Sequence, residues 1–127
     1  MMPNARLSIR IDLGTRHKIG ADKIAFLEAI TTQGSISGAA RSVGMSYRGA
    51  QLWVADINKA MREPAVSAVT GGPQGGGAAL TPVGAQLTEL YRAIEARVQA
   101  AADEEIRAIQ ELAHPITRPA RGARSTC

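Results

Sequence analysis

A mainly α chain with a small β wing is predicted, a winged helix-turn-helix followed by a long C-terminal dimerisation helix. Three stretches of the 127 residues carry that prediction. Between Gly34 and Arg62, two apolar helical stripes are separated by Gly44-Met45-Ser46. Between Ala65 and Leu80, a β-branched run and a short Ala78-Ala79-Leu80 segment flank GGPQGGG. From Thr81 to Ala113, apolar residues recur at spacings of three and four for about nine turns.

The first element is a half-buried β-strand over Leu7–Leu13. Leu7, Ile9, Ile11 and Leu13 alternate with Ser8, Arg10 and Asp12, so one face is apolar and the other polar. Gly14 to Gly20 reads as a turn or loop carrying Arg16, His17 and Lys18. Asp22 then stands as an N-cap for a helix through Gln33, with Ile24, Leu27, Ile30 and Thr31 on or near its buried side and Gly34 closing it.

A second, short helix runs from Ser35, its N-cap, to Val43, and Ile36, Ala39, Ala40 and Val43 share one face. Gly44 follows where a left-handed cap costs least. Ser46 caps a third helix whose core stripe is Ala50, Val54, Ile57 and Met61. Its outward side carries Tyr47, Arg48, Gln51, Ala55, Asn58, Lys59 and Arg62. Trp53 is expected to pack within this module or at a dimer interface. Pro64 ends the helix, because the residue before a proline is pushed out of αR.

Ala65 to Thr70 alternates as a strand would, and the five glycines of the following seven residues form a tip before a return strand at Ala78–Leu80. Such a tip can lie close to a sugar-phosphate backbone and offer its N–H groups to phosphate oxygens. Thr81 caps the final helix, with Pro82 at its first position. As one continuous rod it would be roughly 48 Å long. One small domain cannot cover so long a stripe, so a second copy is expected to bury it through Leu87, Leu90, Tyr91, Ile94, Val98, Ala102, Ile106 and Ile109. From His114 the chain has prolines, arginines and no periodicity, as a basic disordered tail does. The expected organisation is a DNA-binding domain over residues 1–80, a dimerisation helix over 81–113 and the tail over 114–127.

Composition narrows the function classes. Hydrophobic residues at 45% and charged residues at 20% are globular values, and no apolar run is long enough to span a membrane. No secretion signal stands at the N-terminus, and Cys127 has no partner for an internal disulfide, so a cytoplasmic protein is expected. Residues 1–80 hold nine Lys/Arg against five Asp/Glu, residues 81–113 three against six, and the tail three against none. Positive charge therefore accompanies the helix-turn-helix, while the long helix is acidic. The glycine run lacks the Lys-Ser/Thr of a P-loop and the final glycine of a dinucleotide fingerprint. His17, His114 and Cys127 have no metal-ligand spacing, and no catalytic set assembles from two histidines. Neither enzymatic activity nor a cofactor is expected.

What remains is nucleic-acid recognition. The start of a recognition helix, here Ser46 to Gln51, meets base edges in the major groove of double-stranded DNA, while Arg41, Lys59 and Arg62 would hold phosphates. Arg48 has the reach for a guanine, and two such helices in a two-fold dimer would sit about 34 Å apart, one turn of DNA.

The run GSISGAARSVGMSYRGA, followed by TGGPQGGGAALTPVG and a helix beginning QLTELYR, resembles the N-terminal domain of the ModE family of molybdate-responsive bacterial transcription regulators. More distantly it is similar to the LysR-type winged helix-turn-helix. The resemblance covers roughly residues 20–95 and rests on two motifs in the family's order and spacing. It implies a homodimeric regulator whose DNA-facing residues are Ser35, Ser37, Ser46, Tyr47, Arg48 and the wing from Thr70 through Gly71, Gly72, Gln74, Gly75 and Gly76 to Gly77. Two departures stand out. Family members often carry a basic residue where this wing has Pro73 or Gln74, and a tryptophan where Gln51 stands. The family's molybdate-binding domains have no counterpart in these 127 residues, so molybdate sensing is not carried over and no residue points to an oxyanion effector. An interaction protein that pairs with a full-length regulator through the long helix is the alternative expectation.

Overall fold

The computed structural model describes residues 5–14, 16–69 and 76–113. The order of elements is β1 (Arg10–Asp12), β2 (Lys18–Gly20), α1 (Ala21–Gln33), α2 (Ile36–Val43), α3 (Tyr47–Ala60), β3 (Val66–Val69), β4 (Gly77–Leu80), α4 (Pro82–Ala101) and α5 (Asp103–Leu112). Helices dominate, and the strands form two separate two-stranded antiparallel sheets, β1 with β2 and β3 with β4. Residues 8–96 make one compact unit; residues 5–7 and 97–113 belong to a second.

The larger unit is organised by helix ends that the local sequence specifies. Ser35 Oγ accepts from the Gly38 N–H at 3.0 Å and Ser46 Oγ accepts from the Gly49 N–H at 3.0 Å, so α2 and α3 each open on a serine cap. Gly34 and Gly44 adopt φ of 76° and 77°, the left-handed region in which a Cβ is strained, and so end α1 and α2. The three helices enclose a core of Ile24, Phe26, Leu27, Ile30, Ala39, Ala40, Ala50 and Ile57, completed by Ile19, Ala65, Val66, Ala78 and Tyr91. Alanines at Ala39, Ala40 and Ala50 let the helix backbones approach closely. The one tryptophan packs edge-on against Phe26, with ring centroids 5.7 Å apart and planes at 85°.

The structure corrects several sequence expectations. The strand over Leu7–Leu13 shrinks to Arg10–Asp12, and part of the expected loop, Lys18–Gly20, becomes its partner. Before Arg10 the backbone groups are used elsewhere: the Tyr91 hydroxyl donates to the Ile9 carbonyl at 2.5 Å, and the Leu7 N–H donates to Gln99 Oε1 at 3.3 Å. Leu13, expected inside, is exposed, as are Thr31 and Val43. Asp22 is not the cap of α1. The helix starts two residues earlier, at Ala21 after an extended Gly20, and Asp22 lies in the first turn.

The expected single C-terminal rod is interrupted at Ala102, whose φ of −108° and ψ of 15° leave the helical region. Asp103, Glu104 and Glu105 follow immediately. Three carboxylates in a row favour the positive N-terminal end of a helix over its interior, so the sequence restarts a helix there. The start of α4 is anchored to the residues before β3. Thr81 Oγ1 donates to the Pro64 carbonyl at 2.6 Å and accepts from the Gly84 N–H at 3.1 Å, while the Thr81 N–H donates to the Ala65 carbonyl at 2.9 Å. Gly84 is buried so close to the Ala65 carbonyl that a Cβ there would overlap it.

Candidate nucleic-acid interface

The surface of α3 follows from its period. Arg48, Gln51, Leu52, Ala55 and Lys59 fall at intervals of three and four and are all exposed, while Ala50 and Ile57 turn inward. Tyr47 stands at the first position with 51% of its surface exposed, and Gln51 Nε2 donates to its hydroxyl at 2.9 Å. Arg62 lies exposed just beyond the helix, and Ser37 and Arg41 are exposed on α2. Ser35 and Ser46 spend an acceptor lone pair on their caps, which leaves each hydroxyl proton to donate.

Leu52 was not singled out by sequence reasoning, because a leucine in a helix reads as core. It is 62% exposed on this face, between Arg48 and Lys59. The signal that could have found it is its i+4 spacing from Arg48.

Asn58 was placed on the outward side and is instead half-buried at the base of the β3–β4 hairpin. Its Oδ1 accepts from the N–H groups of Ala65 at 2.8 Å and Val66 at 3.1 Å, and its Nδ2 donates to the Val66 carbonyl at 3.2 Å. One side chain thereby fixes the hairpin to α3. The other end of the hairpin is fixed to α1: the Ala78 N–H donates to the Gly34 carbonyl at 3.0 Å, and a Cβ on Gly77 would stand 2.7 Å from that same oxygen. Gly77 is therefore held by close backbone packing. The hairpin register pairs Val66 with Leu80 and Val69 with Gly77. Gly76 is exposed; Thr70, Gly71, Gly72, Gln74 and Gly75 lie outside the described residues.

The only acid on α3, Asp56, sits on the flank and is neutralised there. Lys23 Nζ approaches it at 3.0 Å and His17 Nδ1 at 3.2 Å. The Lys23 hydrogen bond, aided by the charges of Lys23 and His17, holds the Asp56 carboxyl below the usual aspartate range. It therefore stays ionised and paired, which leaves the exposed cations of α3 the dominant charge on that helix. Beside this pair lies an open cleft of about 740 Å³ where Arg10, Arg16, Lys18 and Lys23 meet Asp22 and Asp56. Among the described residues, no group of three or more His, Cys, Asp or Glu side chains could hold a metal ion, and no helix is long and apolar enough to cross a membrane.

The residues expected to pair two copies divide into three groups. Tyr91 is core, 1% exposed, and Leu87 packs against that core, so neither belongs to an outer face. Leu90, Ile94 and Val98 on α4 and Ile109 on α5 are exposed, between 38% and 62%. Ala102 and Ile106 are half-buried. Helical position alone could not separate Tyr91 from Leu90, because the stripe wraps far enough round α4 to touch both the core and solvent.

No family model matches the chain. It is similar to the molybdenum-pterin-binding protein MopB of Rhodobacter capsulatus, 49% identical over 84 residues that make up 66% of this chain and 31% of that protein. It is 37% identical to the molybdenum transport protein ModE of Azotobacter vinelandii over 124 residues, 89% of this chain and 45% of that protein. It is 38% identical over 85 residues to the DNA-binding transcriptional dual regulator ModE of Escherichia coli, covering 65% of this chain and 32% of that one. The chain thus spans from just under a third to just under a half of the length of these relatives. Over those stretches it is a relative of the ModE and Mop proteins.

Proposed function

We propose that the chain is a sequence-specific, non-enzymatic DNA-binding regulator of transcription, a winged helix-turn-helix that works in the cytoplasm as a homodimer on a palindromic operator. The observation that carries this reading is the exposed face of α3: Tyr47, Arg48, Gln51 and Lys59 on a serine-capped helix, flanked by a hairpin bolted to the same helix through Asn58. A helix presented in this way fits the major groove, and a glycine-rich hairpin tip beside it suits the phosphate backbone. The name of the Escherichia coli relative supports the same class, and the names of the Mop and ModE relatives support a link to molybdenum.

In the proposed mechanism Arg41, Lys59 and Arg62 bind phosphates, which sets register and orientation. Arg48 and Gln51 then read base edges. Pairing through Leu90, Ile94, Val98 and Ile109 would place two α3 helices about one DNA turn apart. The same exposed apolar residues also favour a second reading, in which the chain pairs with a longer regulator and alters that protein's DNA binding.

Fluorescence anisotropy on the fragment upstream of the chain's own gene, against a scrambled duplex over a salt series, separates the two. A preference of about a thousandfold for the native fragment supports the regulator. Equal affinities that collapse together with salt support the pairing protein.

A further inference from the structure

Within the reading of α3 as the DNA-contacting helix, on which this inference rests, we propose that Gln51 is an adenine-reading residue held in its reading pose by Tyr47. The two lie one turn apart at i and i+4, both exposed, with Gln51 Nε2 bonded to the Tyr47 hydroxyl at 2.9 Å. A free surface glutamine has three side-chain torsions to freeze when it meets a base. The tether to Tyr47 settles them beforehand.

A carboxamide has two N–H donors and an acceptor oxygen. With the N–H anti to Oε1 given to Tyr47, the syn N–H and Oε1 stand side by side. In the major groove adenine offers N7 as acceptor and N6–H as donor, which matches that pair in a bidentate bond. Guanine presents acceptors at both N7 and O6 and would set an oxygen against Oε1. Cytosine offers only a donor and thymine only an acceptor, so each leaves half of the amide unpaired. Gln51 is three residues from Arg48 on the same exposed face, so the adenine falls near the base that Arg48 contacts.

The test is selection of bound duplexes from a randomised library by the full chain and by Gln51→Ala, Gln51→Glu, Tyr47→Phe and Arg48→Ala. All three positions are exposed, so folding is retained. The wild type is expected to select an adenine in each half-site. Gln51→Ala loses that preference alone, Gln51→Glu moves it toward cytosine, whose N4–H donates to a carboxylate, and Arg48→Ala relaxes a different position. Tyr47→Phe keeps adenine but weakens binding severalfold. Replacing the selected adenine by 7-deaza-adenine, which lacks the N7 acceptor, should cost the wild type about tenfold in affinity and Gln51→Ala nothing. If Gln51→Ala selects the same bases as the wild type at every position, the proposal is overturned while DNA reading by the chain stands. If the wild type enriches no sequence at all, the DNA-binding reading fails and takes this proposal with it.

Discussion

Asn58→Ala is the substitution that most sharply tests how the hairpin is held. Three hydrogen bonds leave with the carboxamide, two from the N–H groups of Ala65 and Val66 and one to the Val66 carbonyl. Ala65 and Val66 are 0% and 5% exposed, so water reaches the orphaned N–H groups poorly. An unsatisfied buried donor costs about 1–3 kcal/mol. Partial relaxation around the small alanine brings the pair to about 2–4 kcal/mol in all. With an m-value of about 1.5 kcal/mol per molar urea, the unfolding midpoint should fall by about 1.3–2.7 M. The assay is urea denaturation followed by far-UV circular dichroism at fixed protein concentration. Asn58→Asp keeps both acceptor contacts but sets a carboxylate oxygen against the Val66 carbonyl in place of the donor, so it should restore only part of what the alanine loses. A loss below about 0.5 kcal/mol for Asn58→Ala, the scatter of ordinary surface substitutions, would refute the view that this side chain ties the hairpin to α3.

Gly84→Ala drives a methyl group into the Ala65 carbonyl and should destabilise by about 1–3 kcal/mol, the usual cost of overpacking, measured by thermal unfolding. An unchanged midpoint would mean that α4 is not seated against that carbonyl. Glu28 accepts both arms of the Arg92 guanidinium at 2.8 and 2.9 Å, and that hydrogen bond lowers its pKa from the ordinary 4.5. A lowered folded-state pKa stabilises above the unfolded value, and the benefit disappears as pH falls through the folded value. Glu28→Gln should therefore be less stable at pH 7 by about 0.5–1 kcal/mol, because both side chains are near 40% exposed. The gap should close as the pH drops below about 4.5, and one that persists at acid pH would place the pair's contribution elsewhere. Ile94→Asp combined with Val98→Asp puts two charges on the exposed face of α4 and should give monomers in sedimentation velocity; a surviving dimer would move the interface off that face.

How far the sequence could be read depended on the range of the interaction. Ser35, Ser46, Gly34 and Gly44 act on groups within four residues of themselves, so the caps of three helices were legible directly. The exposed Tyr47–Arg48–Gln51 edge followed from those caps and the helical period. Asn58, Tyr91 and Glu28 act across 7, 82 and 64 residues, and nothing in their neighbours in sequence announces a partner. An asparagine two residues before the end of α3 therefore read as solvent-facing, and a tyrosine within an apolar stripe read as interface. The break at Ala102 was hidden for another reason. Alanines before it and an unbroken three-four spacing across it favour a continuous helix, and only the run of three acids marks the restart. Leu52 shows the opposite case, an apolar side chain whose period puts it on the polar face.

The central claim is that the exposed face of α3 reads sequence. Its most direct test is the affinity ratio between a selected duplex and a scrambled one, at one salt concentration, for the wild type and for Arg48→Ala combined with Gln51→Ala. Both positions are exposed, so the double variant keeps its fold and its phosphate-binding cations. The wild type should show a ratio of about a thousand and the variant a ratio near one, with binding to the scrambled duplex little changed. An equal ratio in the two proteins would contradict that claim.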